Sequence, residues 1–266
     1  MTDRNATSRL PGPELRKLIR TGRWTQDTGG LAPGYVRANV VILPAARADD
    51  FRLFCARNPA PCPLLEVTEP GSPQVRHVAV DGDLRTDVPR YRVYRHGTLV
   101  DEPTDIRAYW RDDLVGFLLG CSGTLESELL AHGVPNRYAE QGTAPPAYRT
   151  SIRCASAGVF RGPLVVSMRP IPESLVACAA EITSRFPLSH GAPVHIGDPG
   201  RIGIHDLARV DYGEPCTVHA GDVPVFWACG ITPEAAGIEA QVELMITHKG
   251  GHMFVGDLRA EHMALT

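Results

Sequence analysis

No CxxC pair, P-loop, GxGxxG, GxSxG or HExxH occurs anywhere in the 266 residues. The first absence removes zinc ribbons and thioredoxin-like redox chemistry. The others remove the common nucleotide cradles, the serine-hydrolase elbow and the zincin metal site. No apolar run is long enough to cross a bilayer: Leu114 to Leu119 and Pro163 to Val166 are among the longest. An excess of positive charge is missing too. The formal net charge is −3, which gives no electrostatic reason to expect nucleic acid or an anionic membrane as partner. The N-terminal stretch MTDRNATSRLPGPELRKLIRTG lacks the apolar core of a secretion signal, so a cytoplasmic location is the expectation. Seven cysteines (55, 62, 121, 154, 178, 216 and 229) then read as buried thiols of a reducing compartment.

What is present is a chain long enough for two compact lobes. Tyr35 to Leu43 is a β-rich run, and AARADDFRLFCARN after it has helical spacing. LLEVTEP, VRHVAV and RYRVYRHGTLV read as strands, with His96-Gly97 as a hairpin turn. Helices are expected at 14–21, at 106–110, over LVGFLLG up to Gly120, and at 126–132 before Gly133. In the second half PLVVSM, VHIG, VPVFWACG, VELMITH and HMFVGDL read as strands. Helices are expected over Pro172 to Arg185 and from Pro233 to about Ala240. Alternating strands and helices make this an α/β protein with mixed sheets. The Pro-rich loop near 143–146 places a lobe boundary between 13–145 and 146–266, with the lobes free to interleave.

The densest chemistry lies between Arg161 and Asp206, where Ser167, Arg169, Ser184, Arg185, His190, His195, Asp198, His205 and Asp206 fall among Gly- and Pro-built turns. Titratable groups at strand ends are what a small polar substrate requires. Arg169 and Arg149 carry planar forks suited to a carboxylate, with a structural ion pair as the competing role for each. His190, His195, His205, His248 and His252 supply imidazoles that titrate near neutrality. His195 with Asp198 three residues on is a candidate oriented base. Metal is not expected, because these spacings match no ligand motif. Cys121-Ser122-Gly123 precedes a helix start; Ser122 or Thr124 as its cap would aim backbone N–H groups at an anion. Glu126 reads as the acid of a capping box. Glu140 is a candidate acid or base.

Several strings together resemble one family: ANVVILP, DFRLFCARNPAPCPLLEV, DLRTDVPRYRVYR, WRDDLVGFLLGCS, GPLVVSMRPIP, ITSRFPLSHGAPVHIGDPGRIGIHDL, PVFWACGITP and ITHKGGHM. They run from about residue 35 to 258 and are similar to the YcsI family of D-glutamate cyclase-like hydro-lyases. The resemblance implies a two-lobed α/β lyase that closes D-glutamate to 5-oxo-D-proline with loss of water, with no cofactor expected. Its partner is then a small carboxylate substrate, and a homodimer is left open.

For that reaction His195 aided by Asp198 is the expected base, and Glu140 or His248 the acid. Arg169 or Arg149 holds the α-carboxylate. The oxyanion donors come from the Cys121–Ser122 loop or Ser167, with His190 also in the binding set. The chain departs from the family pattern in places. GCSFSFE becomes GCSGTLE, with Gly123 and Leu125 for two aromatics. An Asn and a Met are replaced by Ala144 and Ala147, and Arg37 stands for a Gln. A larger or differently polar pocket, and a substrate other than glutamate, are the expectation from those changes. A hydrolase opening a lactam or amide, and a non-catalytic amino-acid-binding protein, are the alternatives.

Overall fold

A strand buried on both faces has no solvent face and belongs in the middle of a sheet. The run VRANVVIL does so: in β1 (Tyr35–Pro44) every residue after Tyr35 is buried. The computed structural model describes residues 3–265. Before β1 come two helices, α1 (Arg4–Ser8) and α2 (Gly12–Arg20), the second docked on the last strand of the chain. After β1 come α3 (Ala45–Arg57), β2 (Leu64–Val67), the small ribbon β3 (Gln74–Val75) and β4 (Gly82–Asp83), the hairpin β5 (Tyr91–Arg95) and β6 (Thr98–Asp101), and β7 (Leu114–Gly120). His96 and Gly97 both take positive φ at the tip of that hairpin, as the sequence predicts.

LVGFLLG is therefore a strand, not the expected helix. It lies between β1 and β2 in an antiparallel pairing that runs from Ala38↔Gly120 to Pro44↔Leu114. Its seven residues are buried on both faces, and for so short an apolar run periodicity cannot separate a strand from a buried helix. The 106–110 helix shrinks to a single 3₁₀ turn, Arg107–Tyr109. VRHVAV keeps only Val75, the last residue of β3, as strand.

The second half holds α4 (Glu126–Ala131), α5 (Arg137–Glu140), β8 (Ala147–Arg153), β9 (Pro163–Pro172), α6 (Val176–Ser184), β10 (His195–Ile196), β11 (Asp222–Ala228), α7 (Ile231–Glu239), β12 (Met245–His248) and β13 (Phe254–Arg259). The first sheet runs β2-β7-β1-β12-β5-β6, with β13 also paired to β1; the second runs β10-β11-β9-β8. The fold is thus a two-lobed α/β fold with mixed helices and antiparallel sheets. β12 and β13, from the end of the chain, return to the first sheet. No helix among the described residues is long and apolar enough to cross a membrane.

Register in the second sheet decides what shares a face. Ser167 lies opposite Trp227, and Arg169 opposite Val225. These residues and Ile171 face α6, whose Ala179 and Ile182 join Trp227 and Val225 in one core. Val166, Met168, Phe226 and Ala228 face the other way, into a separate core. The chain leaving β7 crosses to the first of these faces, since Leu125 and Leu129 pack with Trp227. That crossing lays the 121–125 loop over Arg169.

Candidate active site

The site grows from the end of β7. Cys121 caps a 3₁₀ turn (Ser122–Leu125) that leads into α4, and its Sγ accepts from the Gly123 N–H at 3.4 Å. The cap is thus Cys121, not Ser122 or Thr124. Thr124 Oγ1 instead accepts from the Arg37 backbone N–H at 3.0 Å. Ser122 Oγ is left to accept from Arg169 Nη2 at 3.2 Å.

Arg169 is 6% exposed and makes no ion pair with any described residue. Its guanidinium carbon lies 5.4 Å from the Trp227 ring and 5.8 Å from the Tyr138 ring. Burial works against its charge, and the Tyr138–Glu126 pair beside it outweighs that and keeps its pKa above the ordinary arginine value. Glu126 stands beyond ion-pair distance, so the guanidinium fork itself stays free of any described carboxylate. It gives the site a standing affinity for a carboxylate.

The loop between α6 and β10 brings His190 to the same cluster. His190 takes a left-handed backbone (φ 78°), a strain on the order of 1 kcal/mol. Its Nδ1 lies 2.7 Å from the Ala60 carbonyl; a carbonyl can only accept, so Nδ1 carries the proton and Nε2 is bare in the neutral ring. Burial lowers the His190 pKa to about 4, and the nearby Arg169 charge adds to that. The hydroxyls of Ser167 and Ser189 are buried without a hydrogen-bond partner. Unpaired buried donors of this kind cost about 1–3 kcal/mol each in the empty pocket and are recovered when a ligand accepts from them.

Gly120 lets this loop seat itself: a Cβ there would stand 1.7 Å from the Leu188 carbonyl oxygen. Gly120→Ala is expected to displace residues 187–190 and to cost about 1–3 kcal/mol of stability. Ligand affinity should fall in the same variant. Denaturant melts paired with a binding titration check both.

Around the Arg169 guanidinium stands a second charged group. Glu126 accepts from Tyr138 Oη at 2.5 Å and from Arg37 Nη1 at 3.2 Å. Arg37 also donates to the Leu31 carbonyl at 2.8 Å, while its Nε is buried without a partner. The loss of an aromatic at 123 does not open space: Arg37 Nη1 lies 3.0 Å from where a Gly123 Cβ would be. Leu125 is fully packed against Trp227. Ala147, opposite Ser167 on β8, is buried, and Ala144 is exposed.

Of the residues singled out from the sequence, Arg169, Ser167, Ser122, Cys121 and His190 are brought together. Burial raises the Cys121 thiol pKa above its ordinary value, so at neutral pH it is a thiol. The others stand elsewhere. His195 is paired with Phe226, on the sheet face opposite Arg169. Its Nε2 lies 2.7 Å from the Asp198 backbone carbonyl, and the Asp198 carboxylate caps the Gly200 N–H instead of orienting the ring. Glu140 is exposed and paired with Arg137 at 3.2 Å. His248 is buried in the first sheet, its Nδ1 accepting from the Val40 N–H at 3.2 Å. Arg149 is exposed on β8, donating to Tyr212 Oη at 3.1 Å. With His205 and Asp206 it lines a shallow surface hollow of about 230 Å³. His252 bonds the Gly250 carbonyl at 2.9 Å near the surface.

Sequence reasoning passed over Tyr138, Trp227, Ser189 and the Ala60 carbonyl, and it read Glu126 as a helix cap. The signal for Glu126 and Arg37 was their placement at or next to positions where the chain departs from the family pattern.

With this geometry in hand, comparison with known proteins assigns the fold's lineage. The D-glutamate cyclase family model matches residues 115–257. The chain belongs to the D-glutamate cyclase family. A relative named Putative hydro-lyase from Stutzerimonas stutzeri is 55% identical over 94% of this chain and 95% of its own. Another of that name from Geobacillus kaustophilus is 53% identical over 96% and 97%. The Bacillus subtilis relative Putative hydro-lyase YcsI is 50% identical over 95% and 98%. The family match spans the 121–126 loop, Arg169, His190 and Trp227, while Arg37 and Ala60 precede it.

Proposed function

We propose that this family member is a lyase that closes an amino-dicarboxylate of the D-glutamate type into a lactam with loss of water, at the Arg169 pocket. The observation that carries the reading is the buried guanidinium of Arg169, which makes no ion pair with a described residue, together with the partnerless hydroxyls of Ser167, two residues earlier on β9, and Ser189, next to His190. Membership in a family described by D-glutamate cyclase and the relatives' hydro-lyase names support it.

Closure forms one C–N bond between the α-amine and the γ-carboxyl carbon and breaks one C–O bond at that carbon. The two protons shed by the ammonium nitrogen leave on the departing oxygen as water. The amine must first be neutral, and His190 holds a bare Nε2 for that proton because Nδ1 is committed to Ala60. The carboxylates of a bound substrate raise the basicity of that imidazole above its value in the empty site. Arg169 holds a carboxylate in a planar fork. Ser122 and Ser167 are the donors to the oxygen that gains charge as the tetrahedral carbon forms.

Mass spectrometry of purified protein incubated with D-glutamate, L-glutamate and homologous amino diacids tests the reading. Loss of one water from at least one of them is the expected result. No change in any diacid, with no opening of 5-oxoproline either, would sink it.

A further inference from the structure

Two guanidinium groups and one carboxylate stand in one cluster: Arg37 is paired with Glu126, and Arg169 lies beside the Tyr138–Glu126 pair. Their formal sum is one positive charge, and an amino-dicarboxylate with its ammonium protonated carries one negative charge. A plain dicarboxylate of the same length carries two. Glu126 is placed to make that distinction. Its side chain keeps 18% exposure, against 3% for Arg37. One of its oxygens takes Tyr138 Oη and the other takes Arg37 Nη1. A carboxylate has about four acceptor positions, so lone pairs remain for a ligand. A helix-capping duty does not compete for them, because the cap of this turn is Cys121. Arg37 lies across side-chain-free Gly123, with Nη1 3.0 Å from the absent Cβ, and holds the carboxylate in place. Thr124 Oγ1 ties the Arg37 backbone to the same loop.

We infer that Glu126 receives the ammonium group of the ligand and that the Arg37–Glu126 pair, seated over Gly123, selects amino-dicarboxylates against dicarboxylates that lack the amine. This rests on the amino-dicarboxylate reading above. The ammonium and one carboxylate then lie between Glu126 and Arg169, with Tyr138, which touches both, as the spacer between them. Glu126 in this role is a binding residue that presents the amine; it takes no part in breaking the C–O bond.

Calorimetric titration with D-glutamate and with glutarate tests the inference, since the two acids differ only in the amine. Run in the cold, binding appears as discrete heats and any turnover as a continuing one. The unaltered protein is expected to prefer D-glutamate by at least tenfold. In Glu126→Gln the D-glutamate affinity should fall at least tenfold while that for glutarate holds or rises, so the preference collapses or inverts. Glu126→Asp, which keeps the charge, should keep the sign of the preference. Should Glu126→Gln fail to fold, the ratio in the unaltered protein and in Glu126→Asp still decides. Equal affinity for both acids in the unaltered protein, or the same fold loss for both in Glu126→Gln, overturns the inference while leaving a carboxylate pocket standing. Binding of neither acid by the unaltered protein overturns the amino-dicarboxylate reading itself, and the inference with it.

Discussion

Arg169→Met is expected to abolish ligand binding and turnover while leaving the melting temperature unchanged or higher. The two halves of that result have one cause. Arg169 is 6% exposed and makes no ion pair with a described residue, so its desolvation is offset only by the nearby Tyr138–Glu126 pair and the Ser122 hydroxyl. Replacing buried charges by apolar groups of similar volume is often neutral or stabilising, by about 1–4 kcal/mol. Met retains most of the contact with the Trp227 and Tyr138 rings. The ligand, by contrast, loses a desolvated charge-assisted contact, and removing one partner of such a pair costs roughly 2–5 kcal/mol, about 30- to 5,000-fold in affinity. Arg169→Lys should fall between, keeping the charge and losing the fork. Thermal melts beside a titration with D-glutamate separate the outcomes. A fall of many degrees in melting temperature with binding intact would make Arg169 a structural residue and remove it from the site.

Much of the fold is legible because its strands are written as mostly apolar, β-branched runs bounded by Pro or Gly, as in β1 and β9, interrupted only by Arg37 and Asn39 in the one and Ser167 and Arg169 in the other. The same feature hides β7: LVGFLLG is buried on both faces and carries no period-two alternation to mark it as a strand. At the site, the density of Ser, Arg and His after apolar runs is visible in the sequence. Which histidine shares a pocket with Arg169 is not. His190 and His195 sit five residues apart in one loop-rich segment, and the difference between them is parity. His195 pairs with Phe226, which pairs with Met168, one residue off Arg169 and hence on the other face of the sheet. His190 never enters the sheet; its ring is directed by a hydrogen bond to Ala60, 130 residues away in the chain. Contacts of that range leave no local mark. Glu126 and Tyr138 are likewise joined only by how α5 folds back on the 121–125 turn, so Glu126 reads in isolation as a helix cap.

The second large effect is a loss of stability in mild acid. His190 and His248 are both buried, each with its pKa lowered by burial from 6.5 to about 4. A histidine held neutral in the folded state takes up its proton first in the unfolded state. Between pH 6.5 and 4 the unfolded chain therefore binds more protons, and stability rises with pH. The contribution is complete above pH 6.5 and drains away as pH falls toward 4. Linkage gives about 2 kcal/mol from each ring between pH 7 and 5, and about 3 kcal/mol from each by pH 4. Against the 5–15 kcal/mol that holds a typical domain, the pair is expected to bring the protein to marginal stability near pH 4. Asp81, Glu102 and Asp105 are lowered by their cationic partners and lose their contribution only further into acid. Glu234, raised by burial next to Tyr94 and Arg92, works in the opposite sense, since its contribution is present in acid and lost as pH rises. Denaturant unfolding at pH 7 and pH 5 should show the drop. His248→Gln, which keeps an acceptor for the Val40 N–H, should remove about half of it without touching the pocket, and His190→Gln the other half together with turnover. A profile that stays flat from pH 7 to 5, or variants with the full slope of the unaltered protein, would show that these rings are not held neutral, and His190 would lose the bare Nε2 that makes it the base.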